Sequence, residues 1–149
     1  MAASTDPAKL YFRLLTEIGI VSQLSIHRLE RVLPEGMSAA QFGVLNHFVR
    51  LGGQWSPGRL ARAFQVTKGA MTNTLQRLEG QGWVRVIADP GDARAKLVEL
   101  TPAGRKAQAK AVAAAGRAMT EVIARVPVHD VELALPILER LRKVLDELR

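Results

Sequence analysis

The sequence predicts a mainly α-helical chain with a single small β-hairpin, and three observations lead there. Apolar residues recur at helical spacing along most of the 149 positions, with starts and stops marked by Ser, Thr, Pro and Gly. Just seven residues are aromatic, which leaves the core to Leu, Val, Ile and Ala and favours helices. The period then changes once, between Trp83 and Leu100, to short β-branched runs that partly alternate.

The first helix is expected from about Pro7 to Leu33, with Tyr11, Leu14, Leu15, Ile18, Val21, Leu24 and Leu29 at helical spacing and Pro34-Glu35-Gly36 ending it. Ser38 begins a second helix, with Gln41 at the capping-box position, and Gly52-Gly53 stops it. Ser56-Pro57 opens a short third helix, the Ser as N-cap and the Pro at the first helical position, with Leu60, Ala61 and Phe64 facing inward. After a turn at Gln65-Val66, Thr67 caps a fourth helix running to about Gln81, and Gly82 stops it. Trp83–Ile87 and Leu97–Leu100 are the expected strands, joined by a long tip, Ala88–Lys96, rich in turn formers and charge. Thr101-Pro102 begins an Ala-rich helix to about Val126, which Pro127 interrupts. Asp130 then caps a last helix that Pro136 either kinks or delays.

Composition narrows the function classes. Cysteine is absent, which excludes disulfides, thiolate-bound metal and thiol redox chemistry. No apolar run approaches the roughly 18–20 residues that cross a bilayer. The stretch MAASTDPAKLYFRLL lacks a basic segment followed by a clean apolar one, so a cytoplasmic location is expected. The net charge is +7 and the pI about 10.6. Residues 52–106 hold nine Lys/Arg against four Asp/Glu, while the remainder holds twelve against ten. A basic centre between nearly balanced ends points to a polyanionic partner that meets the centre.

Two helices joined by a tight turn and followed by a hairpin make a winged helix-turn-helix, placed at 38–101. In its second helix Met71, Leu75 and Leu78 share the inward face. The complementary face offers Lys68, Gly69, Thr72, Asn73, Gln76 and Arg77. Short hydroxyl and amide groups suit base edges in a major groove, the cations suit phosphates, and Gly69 lets backbone approach the duplex closely. On the hairpin, Arg94 is placed to enter a minor groove, where a guanidinium is favoured, and Lys96 to reach a phosphate. Asp92, two residues before Arg94, is better suited to supporting it than to touching DNA.

Several stretches resemble the MarR-type winged helix-turn-helix transcriptional regulators: Gln41-Phe42-Gly43-Val44-Leu45, Ser56-Pro57-Gly58-Arg59-Leu60-Ala61, Thr74 through Val84, Asp89 through Lys96, and Leu100-Thr101-Pro102-Ala103-Gly104-Arg105. The most specific is the wing Asp-x-Arg followed by a strand and Leu-Thr-x-x-Gly-Arg. The resemblance implies a bacterial or archaeal homodimer on a pseudo-palindromic operator, usually a repressor. It also implies a recognition helix in the major groove and a wing arginine in the minor groove, roles that fall on Lys68 to Arg77 and on Arg94. Many such regulators respond to small aromatic or phenolic ligands. Here His27, His47 and Trp55 are the candidates for lining such a site, with Arg13 and Gln23 as further polar groups.

Dimerisation also follows from the residues. Apolar stripes at the two ends, in 1–37 and 102–149, exceed what the small central domain can cover, so a second copy is expected to bury them. No metal site is expected, because His27, His47 and His129 are far apart in sequence and thiolates are missing. No cofactor or catalytic activity is expected either, for want of a phosphate loop, a nucleophile elbow or a His paired with a nucleophile. A winged-helix protein-interaction module without sequence-specific DNA readout is the competing class. The basic central segment and the lack of aromatic residues on the recognition face weigh against it.

Overall fold

The computed structural model describes residues 6–149, so the start of the stretch read for a leader, and of the 1–37 segment, lies outside the described residues. The chain is mainly helical with one antiparallel hairpin among those residues, as the sequence predicts. The elements run α1 (Pro7–Glu30), α2 (Ala39–Leu51), α3 (Pro57–Phe64), α4 (Lys68–Gly80), β1 (Val84–Asp89), β2 (Asp92–Leu100), α5 (Pro102–Ala118), α6 (Thr120–Arg125) and α7 (Val128–Glu147).

Local side-chain chemistry fixes the helix starts. Ser38 Oγ accepts from the Gln41 N–H at 3.2 Å while Gln41 Oε1 accepts from the Ser38 N–H at 2.8 Å, a complete capping box. Ser56 Oγ accepts from the Arg59 N–H at 3.2 Å, and Thr67 Oγ1 from the Ala70 N–H at 3.1 Å. Thr101 Oγ1 accepts from the Gly104 N–H at 3.0 Å and donates to the Gly82 carbonyl at 2.6 Å, tying the start of α5 to the end of α4. Each such cap contributes about 1 kcal/mol. Gly52, Gly53 and Gly82 stop their helices with φ of 65°, 75° and 72°, the left-handed region where a side chain is strained.

Three elements differ from expectation. The hairpin strands reach into the segment expected as a long tip, leaving only Pro90-Gly91 as the turn. The pairing steps from Ala88↔Lys96 to Asp89↔Asp92, so Ala93, Arg94 and Ala95 bulge out of the ladder on β2. The Ala-rich helix is broken at Met119 into α5 and α6 rather than running to Val126. Finally, α7 starts at Val128 with Pro127 as its N-cap, ahead of Asp130, and continues through Pro136. Proline pre-sets a dihedral suited to a helix entry, and Asp130 in the first turn still complements the helix dipole.

The core is built by α2, α3, α4, the hairpin and the first half of α5. Leu45, Phe48, Leu60, Leu78, Val44 and Val98 are fully buried, joined by Met71, Leu75, Val84 and Ala111. Trp55 adds a one-residue strand: its N–H donates to the Val98 carbonyl at 3.0 Å, and the Val98 N–H returns to the Trp55 carbonyl at 2.8 Å. The chain divides into two compact units, one ending at Ala115 and the other Gly116–Arg149. In the first unit α1 buries no residue, and in the second neither α6 nor α7 does. No helix among the described residues is long and apolar enough to cross a membrane.

Candidate nucleic-acid interface

Helix α4 presents two contrasting faces. Met71, Leu75 and Leu78 are 3%, 4% and 0% exposed and anchor it to the core, whereas Lys68, Gly69, Thr72, Asn73, Gln76 and Arg77 are all exposed. Burial of the first three therefore dictates which side chains point outward. Its thirteen residues give a rod about 20 Å long, and no carboxylate occurs on it before Glu79. Thr74, between the faces, gives its hydroxyl to the Ala70 carbonyl at 3.1 Å.

The hairpin carries Arg94 and Lys96, both exposed. Arg94 sits within the β2 bulge, where Asp92 Oδ1 accepts from the Arg94 backbone N–H at 2.9 Å. The aspartate thus sets the backbone of the bulge, and through it the direction in which the arginine leaves the strand. On the other side of the turn Asp89 Oδ1 accepts from the Gly91 N–H at 2.8 Å. At the base of the wing Glu99 accepts from Gln54 Nε2 at 2.7 Å and from Arg85 Nε at 2.8 Å. The hydrogen bond from Gln54, then that from Arg85, holds the Glu99 carboxyl below its ordinary range.

Beneath this surface lies an aromatic cluster. His47 is 8% exposed on α2, with its ring centroid 4.4 Å from Trp55 and 5.3 Å from Phe64. Its Nε2 is buried without a hydrogen-bond partner. Burial, then the charges of Arg50 and Arg59, lowers its pKa. Arg59 lies over the Trp55 ring, 3.7 Å from its centroid. The structure therefore brings His47 and Trp55 together, while His27 stands apart on exposed α1 with Nδ1 3.7 Å from Glu30. Arg59 and Arg62 were not among the residues expected from sequence, yet with Lys68 they line a cleft beside α3 and α4. Their spacing of three along α3 was the available signal, since it puts both on one side of a helix.

Residues 35–95 match the MarR family, a stretch that holds α2, α3, α4, β1 and Arg94 and stops just short of Lys96. The transcriptional regulator BldR from Sulfolobus solfataricus superposes with a TM-score of 0.78 at 28% identity, covering 96% of this chain and 99% of that one. Over residues 35–95 the chain is similar to the MarR family. The multiple antibiotic resistance protein MarR of Salmonella typhimurium is 39% identical over 71 residues, which are 48% of this chain and 49% of that protein. The chain thus spans about half the length of the MarR proteins it matches in sequence. A mutant MarR from E. coli, complexed with operator DNA, superposes with a TM-score of 0.70 at 28% identity, covering 92% of this chain and 99% of that one.

Proposed function

We propose that the protein is a sequence-specific regulator of transcription that binds double-stranded DNA as a homodimer on a pseudo-palindromic operator. The observation that carries this reading is the outward face of α4, uniformly exposed, polar or basic, and free of carboxylate until Glu79, beside a wing that projects Arg94 from a bulge. Lys68, Gly69, Thr72, Asn73, Gln76 and Arg77 are assigned to the major groove, Arg94 to the minor groove and Lys96 to a phosphate, with Asp92 as support. The similarity of fold to the E. coli MarR mutant that is complexed with operator DNA supports DNA as the partner.

Residues 38–101 are the DNA-binding domain in this reading, and 1–37 and 102–149 the dimerisation segments. In support, α1 leaves Tyr11, Phe12, Val21 and Leu24 exposed at 58–74%, and α7 leaves Leu133, Leu135 and Ile137 more than half exposed. Such stripes are stable in water when a second copy covers them. Two recognition helices about one helical turn apart then match the two halves of a palindrome. The regulator acts in the cytoplasm as a repressor and performs no catalysis. A small aromatic or phenolic ligand releases it, and of the three candidate lining residues the adjacency of His47 and Trp55 favours that pair over His27.

Fluorescence anisotropy with labelled duplexes at several salt concentrations tests the reading. Duplexes selected from a random pool should bind far more tightly than unselected ones, with affinity falling steeply as salt rises because counterions are released. Indifference to DNA at low salt would overturn it. Light scattering after gel filtration tests the dimer, and a mass near 16.3 kDa would refute that part.

A further inference from the structure

The cleft beside α3 and α4 has a volume of about 470 Å³ and is lined by Ser56, Gly58, Arg59, Arg62, Val66 and Lys68, with no carboxylate among its lining residues. Three cations around one concavity focus a positive potential that an anion relieves. The cleft is also continuous with the proposed reading face, because Lys68 belongs to both.

Arg59 is set apart from its neighbours by what holds it. Its Cζ lies over the Trp55 ring, 3.7 Å from the centroid, and the guanidinium held there carries N–H donors in a planar fork. Those donors match phosphate oxygens in geometry and in charge. Trp55 is itself fixed, its indole Nε1–H donating to the Gly52 carbonyl at 2.9 Å and its backbone paired in both directions with Val98. His47 backs the ring from α2, 4.4 Å between centroids. Much of the side-chain freedom that an arginine loses on binding is therefore already lost in the free protein.

We propose that this cleft is a phosphodiester clamp, in which Arg59, stacked on Trp55, grips a backbone phosphate of the same duplex whose bases meet α4. The proposal rests on the DNA-binding reading above. Arg62 and Lys68 supply the surrounding positive field, and the shared Lys68 directs the strand along the cleft as α4 enters the groove. A phosphate contact carries no sequence information, so the clamp sets register and affinity while the face of α4 reads bases. The stack on Trp55 also links grip to wing, since Val98 lies on β2 and pairs with the residue that carries Arg59.

The test compares the protein with its Arg59→Gln and Arg59→Lys variants on selected and unselected duplexes across a salt series. Arg59→Gln should weaken binding about tenfold on both duplexes alike, the loss expected for one charge-assisted contact. It should also lower the slope of log affinity against log salt by about 0.9, one phosphate's worth, with an unchanged unfolding midpoint. Arg59→Lys should restore the salt slope and only part of the affinity, because an ammonium neither stacks flat nor pairs bidentately. If the wild type binds steeply with salt and Arg59→Gln matches it, the clamp falls and the DNA reading stands. If the wild type binds no duplex, both fall. A loss confined to the selected duplex would make Arg59 a base reader and overturn the clamp. Inorganic phosphate that shifts Trp emission saturably in the wild type but not in Arg59→Gln, with DNA affinity unaffected by the substitution, would assign the cleft to a free anion instead.

Discussion

The His47 imidazole meets the Trp55 indole nearly edge-on, with ring centroids 4.4 Å apart and planes at 76°. Trp55 also carries Arg59 over its ring and pairs with Val98 of the wing, so a titratable ring adjoins the residue that joins the helix-turn-helix to the hairpin. Charging that ring is unfavourable. Burial removes its hydration, Arg50 on its own helix and Arg59 on α3 repel a second positive charge, and Nε2 has no acceptor nearby.

The pH dependence of stability follows from the sign of that shift. The folded state holds His47 below the ordinary histidine value near 6.5, so below about pH 6.5 the unfolded chain binds the proton more readily. Stability is therefore constant with respect to this group above that pH and falls as pH drops toward the lowered folded value. Chemical denaturation between neutral and mildly acid pH should show this decline, and His47→Gln should flatten part of it whatever its own baseline stability. Parallel acid slopes in the two proteins would remove His47 as the cause. His27 and His129 are exposed, each within 4 Å of a Glu, and are common to both proteins.

On the wing, the hydrogen bond from the Arg94 N–H to Asp92 separates two roles for the aspartate. If it orders the bulge, Asp92→Asn keeps the Oδ1 acceptor and should bind DNA at least as well as the wild type. Asp92→Ala loses the acceptor and should weaken binding several-fold, in line with about 1 kcal/mol for one hydrogen bond. Arg94→Ala should cost more, about 1.5–3 kcal/mol for a contact made by a charged donor, with dimer mass unchanged. Anisotropy titrations of the three variants check the order. An Asp92→Ala protein that binds as well as the wild type contradicts the ordering role.

These contrasts mark what was legible in the sequence. The caps at Ser38, Ser56, Thr67 and Thr101 were readable because a cap is made within three residues of itself. The outward face of α4 was readable because burial of Met71, Leu75 and Leu78 follows from their spacing. The sequence places the hairpin where it occurs but predicts shorter strands than the structure has. Ala88 to Lys96 has the composition of a loop, and what makes it strand is pairing across the ladder, for instance Ala88 with Lys96. The Trp55–Val98 bridge joins residues that only the fold brings together, and a one-residue strand has no period to detect; the contact of Arg59 with Trp55 is local but crosses the start of α3, where no helical spacing links the two. The break at Met119 carries neither Pro nor Gly at the break itself, so nothing local announced it.

Gly104 tests how the domain is joined to α5. A Cβ built there would stand 1.9 Å from the Trp83 carbonyl oxygen and 2.8 Å from Leu100 Cδ1. The first contact is with backbone, which has little freedom to yield, since Trp83 O also accepts from the Thr101 N–H at 3.1 Å. Gly104→Ala should therefore destabilise despite the better helix propensity of alanine, by about 1–3 kcal/mol as for other overpacked sites. Gly116→Ala, in the same helix with open space around it, should be neutral or slightly stabilising. Urea unfolding of both variants checks the contrast, and equal midpoints would mean that the start of α5 shifts freely.

Base reading and phosphate gripping make different predictions for neighbouring residues on α4. Asn73 is exposed one turn into the helix, and an amide there can pair with both edge groups of an adenine in a major groove. Asn73→Ala should cost about 1–3 kcal/mol on a selected duplex and little on an unselected one, narrowing the ratio between them. Thr72→Ala should act in the same direction, because a hydroxyl and a methyl at this exposed position can both meet base edges. Lys68→Ala, by contrast, should lower both affinities together and flatten the salt dependence by about one phosphate. Titrating each variant against both duplexes at two salt concentrations separates the outcomes. If Asn73→Ala weakens both duplexes equally, its side chain holds the backbone, and sequence is read elsewhere on the helix or through the shape of the duplex.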